Sequence, residues 1–265
     1  MNYKLFAGIC LAMLLAIGGG FSRASAAVPA KLKIHLTFDH RNAHDSVGKH
    51  NGVLLGDNGP LPTFTKGKVG RYALKFSVGP HAKSWYGQYV EFRPYNFGQE
   101  FTISLWVKPQ KFHPFSGMVP LLTDSNGATK YGLRLFLNTW NPTGATDRTI
   151  HVELGNRGQP YDSIGTHPGA FAWDHWCMIT VTVDAQSHKV AIYVNGKRKA
   201  TGGTGAIAYG KPLPRWYLAT FPADPWKGRV FLGLMDDVRI YSGALTTRQV
   251  QHLYTRSLAK KKPAP

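Results

Sequence analysis

Cysteine is nearly absent from this sequence: only Cys10 and Cys177 occur, and Cys10 lies inside an N-terminal apolar run. A body with one thiol has no internal disulfide to staple it, so its hydrophobic core must suffice. Cys177 falls within the apolar stretch Trp176 to Val183, where a thiol packs as a small hydrophobe. A catalytic thiol needs an electropositive, partly exposed setting, and nothing around Cys177 supplies one. Long apolar runs are also lacking. Leu5 to Ile17 falls short of the about 20 residues a bilayer span requires. With Lys4 ahead of it and Ala24-Ser25-Ala26 behind it, residues 1–26 read as a cleaved secretory signal. An uncleaved N-terminal anchor is the rival reading. The residues before Cys10 fit a lipoprotein cleavage box poorly. The mature chain is therefore expected to be secreted or periplasmic, without a transmembrane segment.

Acidic residues are scarce as well, with 14 Asp and Glu against 32 Lys and Arg and a formal charge of +18. Removing Lys4 and Arg23 with the leader leaves +16. Such an excess draws a protein toward anionic partners: acidic polysaccharide, lipopolysaccharide or nucleic acid. The cations are scattered, however, over Lys66/Lys68/Arg71/Lys75, Lys108/Lys111, Lys197-Arg198-Lys199, Lys211/Arg215 and the tail Lys260-Lys261-Lys262. A solubilising surface explains that scatter equally well. No module that reads nucleic acid is present, so specific nucleic-acid binding is not expected. The sequence contains no Gly-x-Ser-x-Gly elbow and no glycine-rich phosphate loop, which leaves nucleophilic hydrolysis and nucleotide binding without a local motif.

What is there is short strands. Leu32, Ile34, Leu36 and Phe38 alternate with polar neighbours, and Phe101 to Lys108 repeats the period of two. Tyr131 to Leu137, Thr149 to Leu154, Trp176 to Val183, Lys189 to Val194, Lys197 to Ala200 and a long closing strand from Arg229 to Tyr241 follow. Asn195-Gly196 is a hairpin turn, because both residues tolerate positive φ. One helix is expected near 246–256, opened by a Thr246/Gln249 capping box, with Val250, Leu253 and Tyr254 on its apolar face. Residues 258–265 read as a disordered basic tail. Strands without interleaved helices imply an all-β, two-sheet antiparallel sandwich spanning residues 31–257.

The ordered set of motifs carries a family pattern. Leu36-Thr37-Phe38-Asp39 leads into Asp45-Ser46-Val47-Gly48 and Asn51-Gly52. Gly67-Lys68-Val69-Gly70 precedes Ala73-Leu74-Lys75-Phe76, and Phe101 to Pro109 follows. Ile192-Tyr193-Val194-Asn195-Gly196-Lys197 comes next, and Gly233-Leu234-Met235-Asp236-Asp237-Val238-Arg239-Ile240-Tyr241 ends the series. The string resembles the laminin-G-like, concanavalin A-like lectin/glucanase domains of secreted bacterial proteins, across nearly all of residues 31–256. That resemblance implies a jelly-roll sandwich in which the first and last strands are neighbours. It also implies a structural Ca²⁺ on Asp39 and Asp236, with Asp45 and Asn51 as further oxygen donors. Ca²⁺ takes six to eight oxygens of this kind. The plainer alternative is that these acids cap turns or pair with Arg and Lys. Trp106, Trp176 and Tyr193 are assigned to the core, and Arg239 to a pairing with an acidic neighbour. His40, His44 and His50 crowd one loop, but without a helix or cysteine to make them converge they read as exposed, not as a zinc site.

Relatives of this fold that hydrolyse β-glucans carry closely spaced acids on one strand. Here the three glutamates, Glu91, Glu100 and Glu153, are dispersed, and the adjacent Asp236-Asp237 are expected on opposite strand faces. Asp174-His175 has no serine implied beside it. Recognition without catalysis is the reading that remains. Trp85-Tyr86, Trp140 and Trp226 stand in loops where exposed rings stack on sugar faces, with Asn138, Asn141 and Lys227 as polar partners. Each tryptophan equally suits a small satellite core beneath its loop. The expected partner is thus a polysaccharide or glycan, anionic character being compatible with the charge. The alternatives are a glycan hydrolase or lyase with an unrecognised site, and a protein-interaction or envelope-structural module.

Overall fold

The structure is a computed structural model that describes residues 29–56, 59–77, 87–111, 117–124, 130–140, 144–145, 147–157, 161–210, 213, 215–222 and 229–259. The expected signal segment, residues 1–26, lies outside these. Among the described residues, fifteen strands precede one helix. They are β1 (Lys31–Leu36), β2 (Gly52–Gly56), β3 (Thr63–Lys66), β4 (Tyr72–Phe76), β5 (Gln88–Phe92), β6 (Glu100–Pro109), β7 (Met118–Thr123) and β8 (Leu133–Asn138). Then come β9 (Thr149–Leu154), β10 (Asp162–Gly165), β11 (Cys177–Asp184), β12 (Lys189–Val194), β13 (Lys197–Gly202), β14 (Trp216–Leu218), β15 (Gly233–Ser242) and α1 (Thr247–Ala259). One sheet has the order β13-β12-β11-β6-β15-β4-β3, with β1 also paired to β15. The other runs β10-β9-β8-β7-β14-β5-β2. All pairings are antiparallel, and the inward residues of both sheets join in one apolar core. Among the described residues, no helix is long and apolar enough to cross a membrane.

Alternation builds the core as expected: Ile34, Leu36 and Phe38 are buried on the inner side, as are Phe101, Ile103, Leu105 and Val107. The outer positions of β6 break the pattern. Thr102, Ser104 and Trp106 are buried too, because α1 covers that side of the first sheet. Trp106 is buried, as its assignment to the core expected, on the outer side of β6 and under α1. It forms a second, smaller core with Val69 and Met178 beneath the helix, against Trp176, Leu253 and Tyr254. Its indole N–H donates to Ser257 Oγ at 3.2 Å, and its ring stacks on Tyr254 at 5.7 Å. Tyr193 joins the same layer, with its hydroxyl 3.0 Å from Thr247 Oγ1.

The helix starts where its capping box predicts. The Thr246 N–H donates to Gln249 Oε1 at 2.8 Å, and the Gln249 N–H donates back to Thr246 Oγ1 at 3.3 Å. It ends later than expected: Leu258 and Ala259 are helical, not part of a disordered tail, and residues 260–265 lie outside the described set. Asn195 and Gly196 take φ of 50° and 75°, as a tight hairpin turn needs. Cys177 is buried in the core, and burial pushes its thiol up to about 12.

β15 is paired with β6 on one side for most of its length, but its other edge changes partner. Gly233–Met235 face β4, whereas Val238–Ser242 face β1. The ladder to β6 shifts register between Asp236 and Arg239, and Asp237 has a φ of 51°. This bulge corrects one expectation. Strict alternation would send Asp236 and Asp237 to opposite faces, but the extra residue turns both toward the helix-covered side. There Asp236 meets the turn after β3, and Asp237 pairs with His35 and Arg239 at 2.8 Å each.

Truncating Trp106 would empty the helix–sheet core without touching the main one. Trp106→Ala is expected to destabilise the protein by about 3–5 kcal/mol in urea titration, while intersheet probes such as Cys177 protection report a still-folded sandwich in the absence of denaturant.

Candidate functional site

The closing strand and the first strand converge on one turn. Asp236 is fully buried, and its Oδ2 accepts the N–H groups of Lys68 at 2.7 Å and Val69 at 2.9 Å. Asp39 Oδ1 accepts those of Arg71 at 2.5 Å and Tyr72 at 3.0 Å. Gly70 between them has a φ of 70°, and a Cβ there would strike the Asp39 carboxylate. The two acids expected to share a pocket thus grip opposite ends of the same loop, residues 67–72. Asp236 Oδ1 is buried and has no hydrogen-bond partner. Burial, aided by the neighbouring Asp237 charge, raises the Asp236 carboxyl to about 8.

Asp45 and Asn51 make a different knot. Asp45 Oδ1 accepts the N–H groups of His35 and Val47, and Oδ2 accepts that of His50. Burial opposes ionisation here, but these backbone donors prevail and lower the Asp45 pKa. Asn51 Oδ1 accepts the Asp45 N–H at 2.9 Å. Neither residue shares a hydrogen-bond partner with Asp39 or Asp236. His50 stands edge-on to Tyr95, and His40 and His44 are exposed. Among the described residues, no three His, Cys, Asp or Glu side chains are grouped to hold a metal ion. His175 caps a turn through Trp173 O, as a turn residue would.

The richest chemistry lies on the outer face of the second sheet, opposite the side that α1 covers. Strand register aligns one row of side chains across all seven strands: Ser163, Glu153, Arg134, Thr123, Tyr217, Glu91 and Val53. At its centre Arg134 is buried and ion-paired with Glu153. The rings of Tyr161 and Phe221 flank the guanidinium at 5.7 Å each. At the far end Arg215 pairs with Glu91 at 2.7 Å, and Tyr217 is raised to about 12, by burial first and the Glu91 charge second. The adjacent row stacks Phe136 on His151 at 5.5 Å, and burial lowers the His151 pKa so that the neutral ring is favoured. Phe221 closes edge-on over Phe136.

Beyond the end of β8, Trp140 extends this face. It is 58% exposed, with the Arg229 guanidinium 5.8 Å over its ring, and Arg229 also donates to Met118 Sδ. Asn138 Oδ1 accepts the Trp140 N–H at 3.1 Å, so the asparagine shapes the turn that presents the ring. Trp140 is therefore not the lid of a buried satellite core. Trp85, Tyr86, Asn141, Trp226 and Lys227 lie outside the described residues. Arg134, His151, Tyr161 and Tyr217 were not singled out in the sequence, and Glu153 was named only as one of three dispersed glutamates. The signal for Arg134, His151 and Glu153 was the alternation within Leu133–Asn138 and Thr149–Leu154, whose polar positions fall on one face.

Glu153 and Glu91 share a row but are separated by four strand spacings, roughly 19 Å. Glycosidase pairs stand about 5–10 Å apart.

The sequence profile of the concanavalin A-like lectin/glucanases superfamily matches residues 84–251. Among curated proteins, none matches the sequence. Solved structures do. Domain 4 of an extracellular arabinanase from Geobacillus stearothermophilus, in complex with arabinotriose, superposes with a TM-score of 0.62 at 22% identity, covering 85% of this chain and 98% of that one. A botulinum neurotoxin type C structure, whose cell entry depends on interaction with two ganglioside molecules, gives 0.63 at 14% identity over 85% of this chain. The binding domain of botulinum neurotoxin DC in complex with SialylT gives 0.60 at 13% over 85%. The chain spans about half the length of these toxin chains, 51% in both cases. At such identities the likeness is one of fold.

Asp124, at the end of β7, tests how this face is anchored. It is buried, accepts the Leu133 N–H at 2.7 Å, and burial raises its carboxyl to about 7. The folded state then holds a proton that the unfolded chain releases above the ordinary value of 3.8. That contribution is complete below this value and is lost as pH rises through 7. Denaturation midpoints measured from pH 4 to 8 should fall with pH in the wild type, by less in Asp124→Asn.

Proposed function

The chain belongs to the concanavalin A-like lectin/glucanases superfamily, and on that premise we propose that it is a secreted, non-catalytic carbohydrate-binding sandwich that uses the open face of its second sheet. The observation that carries the reading is the row of polar and aromatic side chains centred on the buried Arg134–Glu153 pair and bordered by the exposed Trp140. Pairing a charge inside a row of rings fixes both groups, so the face meets its ligand without a large ordering cost. Sugar rings present C–H faces that stack on Trp140 and on Tyr161, which is 43% exposed. His151, Asn138 and the half-buried Glu91 supply donors and acceptors for hydroxyls. Neighbours of this fold in complex with arabinotriose or with SialylT support the ligand class, not its identity.

Binding is favoured over hydrolysis by the wide separation of Glu91 and Glu153 on this face. Incubation with a polysaccharide panel is expected to release no reducing ends or unsaturated products. Release abolished by Glu153→Gln would replace the binding reading with an enzymatic one.

Retention on immobilised polysaccharides tests the face directly. Trp140→Ala should weaken binding about tenfold, an amount near 1.4 kcal/mol, with an unchanged melting temperature. Unaltered affinity in that variant and in Tyr161→Ala would remove this surface from consideration.

A structural calcium ion belongs to the same proposal. Asp39 and Asp236 would hold it, joined by backbone carbonyls of the loop they grip. The buried, unpartnered Asp236 Oδ1 is what speaks for it, since a cation beside that oxygen would favour the ionised form. Bound calcium would fix the strand ends and take no part in chemistry. Calcium at 100 times its Kd should then stabilise the wild type by about 2.7 kcal/mol relative to chelator. Asp236→Asn should lose that increment. No calcium-dependent shift in the wild type would leave Asp39 and Asp236 as turn caps alone.

A further inference from the structure

A second cleft opens on the opposite side of the molecule, between the β1–β15 edge and α1. Its volume is about 540 Å³, within the range of about 300–1,000 Å³ typical of small-molecule sites. Arg248, His252 and Arg256 line it from the helix, spaced four residues apart and so aligned along one side. Arg239 and His35 line it from the sheet. No acidic side chain is among the described residues lining it. Asp237 is engaged by His35 and Arg239 at 2.8 Å each. Arg248 and Arg256 make no ion pair among the described residues and are solvent-exposed. Leu32, Leu245 and Leu253 give the cleft an apolar floor, and Gln249 offers an amide beside it.

From this juxtaposition we propose that the cleft between α1 and the first sheet is a binding site for an acidic saccharide, one bearing carboxylate or sulfate groups. A guanidinium is a planar fork of N–H donors that matches carboxylate and sulfate oxygens two at a time. Two such forks, two turns apart on the helix, grip successive anionic groups of a short oligosaccharide. The leucine floor accepts the apolar face of a sugar ring, and the Gln249 amide hydrogen-bonds a hydroxyl. A diffuse positive surface would attract any polyanion, whereas this arrangement selects by position. The site is distinct from the face of the second sheet and does not depend on that face binding sugar.

The test uses the full mature chain and a sulfated, uronate-containing tetrasaccharide as probe, with its desulfated, carboxyl-reduced counterpart as control. Titration calorimetry should show the charged probe binding at least tenfold more tightly than the neutral one. The double variant Arg248→Ala/Arg256→Ala should lose at least tenfold in affinity. Lys66→Ala/Lys75→Ala removes equal charge from exposed positions on β3 and β4 that do not line the cleft, and should lose less than twofold. Trp140→Ala should leave the acidic probe's affinity unchanged. Should the arginine variant misfold, amide shifts of the wild-type helix on titration report the site directly, and residues 247–259 should move most. Equal losses in the arginine and lysine variants, or shifts spread evenly over the surface, would make the attraction a net-charge effect and overturn the proposal.

Discussion

The pairing of β15 with three partners holds the fold together. Its long ladder to β6 is the spine of the first sheet, and its opposite edge is completed by β4 at one end and β1 at the other. Neither short strand covers the whole edge, so the handover needs a break, and the bulge at Asp236–Arg239 supplies it. Because the bulge redirects two carboxylates, the same irregularity ties down the turn after β3 through Asp236 and the β1 edge through Asp237. A regular strand would bring the chain's opening and closing segments together without locking them.

Covering one sheet and leaving the other open follows from the sequence beyond β15. A thirteen-residue helix has one apolar stripe, and that stripe lands on Trp106 and Met178. The second sheet receives no such cover. Its outer positions are therefore half-polar, yet many are buried by their neighbours' rings. A guanidinium between two aromatic faces and beside a carboxylate keeps its hydrogen bonds while losing water, which is the condition for a rigid polar surface.

The fold was legible because alternation and turn chemistry are local. Lys189–Val194, Asn195-Gly196 and the Thr246/Gln249 box appear where the residues place them. Short edge segments such as Asp162–Gly165 and Trp216–Leu218 were not readable, since three or four residues carry no period of their own. Trp106 is buried, as its assignment to the core expected, but the small core it joins is completed by a helix residue 151 positions later, which no local pattern encodes. The candidate site was legible only in part. Loop tryptophans announce themselves by composition, and Trp140 is indeed exposed. The Arg134 row emerges only once register sets seven strands side by side, because its members are spread from Val53 to Tyr217. Likewise Arg248, His252 and Arg256 look like an ordinary wet helix face until β1 and β15 are placed opposite them.

One geometric consequence reaches outside the fold. β1 and α1 both belong to the layer of the first sheet, so anything joined at residue 31 or at residue 259 approaches from that layer. A fusion partner, purification handle or solid support joined directly at either of these two residues would crowd the helix cleft. The aromatic surface would point away, free to meet material in bulk solvent.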